Sequence, residues 1–158
     1  MDENIKIESN KLLAVEGKEE CNFFKALLKF ERINNVHTID IGGKDKFKYD
    51  FHALYSMDGF DKVISIGFVR DAEDQGVESA FKSICSIIRK KNLPIPSRPK
   101  EVLTTYPKVG IFIMPNNETE GMLEDIAEVI ATGQLNPASC AVKVTSINAP
   151  SSIACFLV

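Results

Sequence analysis

Short apolar runs and amphipathic segments take turns along this chain, and that alternation limits what it can fold into. Lys11–Glu16 reads as a buried strand. Glu19–Phe30 then sets Phe23, Leu27 and Phe30 on one face, at close to the ~3.6-residue period of a helix. Val36–Ile41 is a second strand, closed by Gly42-Gly43, and Phe47–Met57 a short helix. Lys62–Val69, rich in Val and Ile, is a third strand. Gly76–Lys91 is the clearest helix: Val77, Ala80, Phe81, Ile84, Ile87 and Ile88 line one side, and Pro94, Pro96 and Pro99 prevent its continuation. Lys108–Met114 reads as a fourth strand, Glu118–Ala131 as a further helix and Ala141–Ile147 as a candidate last strand. Strands that each lead into a helix imply an α/β fold. The expected architecture is compact and three-layered, a mostly parallel sheet of four to five strands with helices on both faces.

The chain has 158 residues, 44% of them hydrophobic, which suits one domain with its own core. No apolar run approaches the ~18 residues of a membrane-spanning helix, and Met1–Glu8 is charged, without an apolar signal core. The expectation is a cytoplasmic protein with no membrane partner. Cys21, Cys85, Cys140 and Cys155 are far apart in sequence and form no CxxC or Cys/His motif, so they read as reduced, mostly buried thiols. His37 and His52 are isolated and read as ordinary structural or surface residues. A net charge of −3 excludes a broad electrostatic nucleic-acid binder. Any phosphate contact would need a local basic patch or bound metal ions.

Acids gather where strands end. Glu16 closes the first strand, with Glu20 four residues on. The third runs into "VRDAEDQ", carrying Asp71, Glu73 and Asp74, and the fourth into "MPNNETEGMLED", carrying Glu118, Glu120, Glu124 and Asp125. In parallel α/β sheets ligands bind at the carboxyl ends of the strands. Converging carboxylates repel one another, and a cation relieves the repulsion. Mg²⁺ takes one or two carboxylates plus waters and phosphate oxygens. Two such ions about 4 Å apart can clamp both the attacking and the leaving oxygen of a phosphodiester. Asp and Glu at helix N-termini also serve as plain caps and dipole partners, and Asp74 and Glu118 are placed for that role alone. Gly17 and Gly42-Gly43 would leave room for a ligand, and equally suit simple turns. "GGKDK" lacks the spacing of a phosphate-binding loop.

"LLAVEGKEECNFFKALL" resembles the first motif of the Toprim (topoisomerase–primase) domain, a hydrophobic strand, Glu-Gly, then an acid four residues after the Glu. "VISIGFVRDAEDQ" resembles the second, a strand ending in Asp-x-Asp, with Glu73 as the second acid. Together with "VGIFIMPNNETEGMLED" these are similar to small uncharacterised prokaryotic Toprim-like proteins of DUF type, akin to the Toprim part of OLD-family nucleases. The resemblance covers about residues 10–130. It implies a domain core over 10–131, a shortened or divergent segment over 132–158, and a sheet that binds Mg²⁺ or Mn²⁺. It implies metal ligands at Glu16, Glu20, Asp71, Glu73 and Glu124, with Glu16 also the general acid/base. Lys143, the one lysine available beyond the last acidic motif, is assigned no role.

Three functions stay open at this point. The first is metal-dependent, nuclease-like phosphodiester hydrolysis on DNA or RNA, with Lys18, Lys44, Lys46 and Arg70 near enough to contact phosphates. The second is a non-catalytic module that binds a metal, a nucleotide, a protein partner or a second copy. The third is a plain α/β domain whose acids only cap helices.

Overall fold

The computed structural model describes residues 6–43, 46–72, 76–99 and 101–114. Within them run β1 (Lys11–Val15), α1 (Lys18–Phe30), β2 (His37–Asp40), α2 (Phe47–Tyr55), a 3-10 turn (Phe60–Lys62), β3 (Ser65–Asp71), α3 (Gly76–Arg89) and β4 (Lys108–Met114). The helix expected over 118–131 and the strand expected over 141–147 lie outside the described residues. The four strands form one sheet in the order β2-β1-β3-β4, and every pairing is parallel. This is the α/β architecture that the strand–helix alternation implies.

Successive strand residues point to opposite faces, so each strand feeds two cores. On one face Leu13, Val15, Val69, Phe112 and Met114 pack with Cys21, Phe24 and Leu28 of α1. On the other, Leu12, Ala14, Ile66, Phe68 and Ile111 pack with Phe47, Phe51 and Leu54 of α2 and with Phe81, Ile84 and Ile88 of α3. Phe47, Phe51 and Phe68 form an aromatic group on this second face, with ring centres 5.4–6.4 Å apart. The near-continuous apolar strands are what burial on both faces of a parallel sheet requires. Among the described residues no helix is long and apolar enough to cross a membrane.

Two details depart from the sequence expectations. The expected face of α1 was Phe23, Leu27 and Phe30. The buried residues are instead Cys21, Phe24 and Leu28, with Phe23 and Leu27 half-buried and Phe30 exposed. The third strand was expected over 62–69 but runs from Ser65 to Asp71: Phe60–Lys62 is a 3-10 turn, and β4 pairs with the strand as far as Asp71 opposite Met114. Cys21 and Cys85 are buried free thiols, and burial pushes the Cys85 thiol above its usual value. Cys140 and Cys155 lie outside the described residues.

Candidate functional site

The chain leaves β1 for β2 on one side and then returns past β1 to β3 on the other. β1 and β3 are therefore neighbours at a topological switch point, where open α/β sheets form a crevice at their carboxyl ends. Lys11 pairs with Ser65 and Ala14 with Phe68. Continuing that register sets Glu16, just past β1, level with Arg70 near the end of β3. On the other side of β1, Val15 pairs with Asp40. Glu16, Asp40 and Asp71 thus all end strands at one edge.

The centre of this edge is an ion pair. Arg70 Nε lies 3.3 Å from Glu16 Oε2, with the arginine side chain 3% exposed and the glutamate 11%. Both atoms are buried, and the contact is an ion pair rather than a hydrogen bond. Arg70 Nη1 donates to Ser83 Oγ of α3 at 3.2 Å, and its guanidinium carbon sits 5.9 Å from the centre of the Phe47 ring of α2. Arg70 was expected among the residues near enough to contact phosphates; it is an interior cation held between three elements.

Glu20 comes back to the same corner. Gly17 is the N-cap of α1, and a Cβ there would lie 2.5 Å from Glu20 Oε2. The space that Gly17 leaves open is thus used by the Glu20 carboxylate. Asp71, half-buried, ends β3, and Ala72 N–H donates to the Met114 carbonyl across the strand ends. Lys18 and Lys46 are exposed, at the first residue of α1 and the N-cap of α2. Both helices start at this edge. Glu73, Glu124, Lys44 and Lys143 lie outside the described residues.

Asp40 is the residue that the sequence reading missed. Its Oδ1 accepts from Gly42 N–H at 2.7 Å, and Gly42 holds φ +70°, so the end of β2 is an Asx turn. Asp two residues before Gly, after an apolar run, was the available signal. Among the described residues no three His, Cys, Asp or Glu side chains come together closely enough to hold a metal ion. Glu16, Glu20 and Asp71 therefore do not make a cation site by themselves. A cation at this edge would need further ligands, and the sequence offers Glu73 and Glu124.

Away from this edge, at the start of β2, a polar pocket of about 670 Å³ is lined by Lys25, Asn35, His37 and Thr38 among others, and by none of the carboxylates above. His37 Nδ1 accepts from Glu8 N–H at 3.2 Å, and burial lowers its pKa.

A family model described as "Protein of unknown function (DUF3226)" matches residues 10–152. The chain belongs to the DUF3226 family. The match covers the whole sheet and the edge just described, and it runs on through residues 132–152, which the sequence reading set apart from the core. No curated protein and no solved structure matches the chain significantly. The DUF3226 description carries no activity, so function has to be argued from the edge itself.

Proposed function

We propose that this DUF3226 chain is a Toprim-like domain, akin to the Toprim part of OLD-family nucleases. In this reading it binds Mg²⁺ or Mn²⁺ at the β1/β3 edge and hydrolyses phosphodiesters of DNA or RNA there. The supporting observation is the placement of Glu16 and Asp71 at the carboxyl ends of the adjacent parallel strands β1 and β3. These are the two positions where the Toprim-like motifs put their acids. Glu16 would take the proton of the attacking water, and Asp71, Glu20, Glu73 and Glu124 would complete the ligand set with it. The cation, when bound, would supply Lewis acidity and lower the pKa of a bound water. Exposed Lys18 and Lys46, beside the positive ends of α1 and α2, would attract phosphate locally although the whole chain is acidic. Lys44 would add to them.

A non-catalytic module binding a metal, nucleotide or partner is the second reading, and the Glu16–Arg70 ion pair favours it. A carboxylate already held by a guanidinium is less available as a base.

One assay separates the two. Plasmid and single-stranded DNA and RNA are incubated with the chain in Mg²⁺ or Mn²⁺, alongside Glu16→Gln. Hydrolysis, falling by about 10²-fold or more in the variant, supports the first reading. Intact substrates with calorimetric Mn²⁺ binding support the second. If neither binding nor thermal stabilisation by Mn²⁺ is seen, and Asp71→Asn melts like the parent, both readings fail.

A further inference from the structure

We propose that the polar pocket at the start of β2 binds a small zwitterion of the α-amino-acid class, its carboxylate taken by Lys25 and Thr38 and its ammonium by Glu8. The pocket stands at the opposite end of the sheet from the β1/β3 edge and rests on none of the chemistry proposed there.

α1 starts at the carboxyl edge and runs back over the sheet, so its second half reaches the strand starts. Cys21 Sγ–H donates to the Thr38 carbonyl at 3.7 Å, and Lys25 is one helical turn further along the same side of α1. Residues 8–10 supply another wall, just before β1 begins. They are pinned there: Glu8 N–H donates to His37 Nδ1 at 3.2 Å, and Ser9 Oγ–H to the Asn35 carbonyl at 2.6 Å. The walls are thus held in place by the fold itself, and the volume of about 670 Å³ is in the range of small-molecule sites.

Thr38 is 5% exposed, and its Oγ1 is buried with no hydrogen-bond partner among the described residues. A buried hydroxyl left unpaired is destabilising, and a ligand oxygen that accepts from it relieves that penalty. Lys25 and Glu8 bring opposite charges to the same pocket, and neither forms an ion pair among the described residues. Burial is the main influence lowering the His37 pKa, but Glu8 raises it and Lys25 lowers it further, so both charges act within the pocket. A ligand of zero net charge with a cationic and an anionic group complements this lining. A phosphate would meet the Glu8 carboxylate and be repelled. Nucleobases are held by stacking on aromatic faces, and no Phe or Tyr is among the lining residues.

The common amino acids are added singly at millimolar concentration while the melting temperature of the chain is followed, with a nucleoside, glucose and inorganic phosphate as comparisons. At least one amino acid should raise the melting temperature, and the comparisons should not. Calorimetry then gives its affinity. Thr38→Val removes the hydroxyl and nearly keeps the shape of the side chain. It should weaken binding about tenfold or more without lowering the melting temperature of the free protein. Lys25→Met and Glu8→Gln should each weaken binding about tenfold or more. In the parent, the backbone amide resonances of His37 and Thr38 should shift as the amino acid is titrated in, a readout that needs no variant. Stabilisation by a comparison compound but by no amino acid overturns the proposal, as does the absence of any binding. So does an amino acid that binds with His37 and Thr38 unmoved, or with the same affinity in Thr38→Val and Lys25→Met as in the parent.

Discussion

At Gly42 the backbone sits at φ +70°, a conformation that costs an L-residue roughly 1–2 kcal/mol. A Cβ there would also meet the Asp50 carboxylate and lie 2.9 Å from the Lys46 Cβ. Gly17 differs: its φ of −162° is extended backbone open to any residue, and its added Cβ would meet only the mobile end of Glu20. Gly42→Ala should therefore cost about 2 kcal/mol in urea denaturation, and Gly17→Ala about 1 kcal/mol or less. Equal losses would contradict this assignment. His37 provides a second test at this scale. Burial is the largest influence on it and lowers its pKa; Glu8 pulls it up and Lys25 pushes it down to smaller extents. The neutral ring, whose Nδ1 accepts from Glu8 N–H, is thus the form that the fold prefers. As pH falls below the ordinary histidine value of about 6.5, the unfolded chain takes up the proton first. The contribution of His37 is whole above that value and is lost as pH falls through the lowered one. His37→Asn keeps an acceptor near Nδ1 and does not titrate. Its melting temperature should therefore fall less than the parent's between about pH 7 and pH 5. Parallel pH profiles would remove His37 from the account.

Among the elements, α1 shows what hydrophobic period leaves open. Phe23, Phe24, Leu27 and Leu28 form two adjoining apolar columns, and a 3.6-residue repeat fits either. Contact with Leu13, Val15 and Val69 selects the column of Cys21, Phe24 and Leu28. Phe24 is 2% exposed and Phe30 61% exposed. Phe24→Ala should therefore cost about 3–5 kcal/mol, and Phe30→Ala no more than about 0.5 kcal/mol, both read from denaturant midpoints. A large loss in Phe30→Ala would restore the expected face. In β3 the misjudged boundary mattered more. Arg70 and Asp71 follow the expected apolar run 62–69, and pairing with β4 carries the strand through both. Arg70, expected as a phosphate contact, is there buried as the partner of Glu16.

For the whole molecule, the decisive fact is strand order. With β1 and β3 side by side, residues 16 and 70, far apart in sequence, meet at one edge, while the start of β2 carries an unrelated polar pocket. The DUF3226 match spans this arrangement and continues past it, and the nuclease assay and the cation measurements probe it as a unit. Strand–helix alternation, the apolar stripe of α3 and the acids at strand ends were legible in the sequence, because each is a local pattern with a fixed period or a fixed neighbour. Glu16 and Asp71 at one edge followed from those patterns, once a parallel sheet was granted. Tertiary structure alone decided that Gly17 makes room for Glu20, that Asp40 closes β2 on Gly42, and that Arg70 lies inside against Glu16. Those outcomes depend on which strands pair and in what register, and residues distant in sequence carry no local trace of that choice.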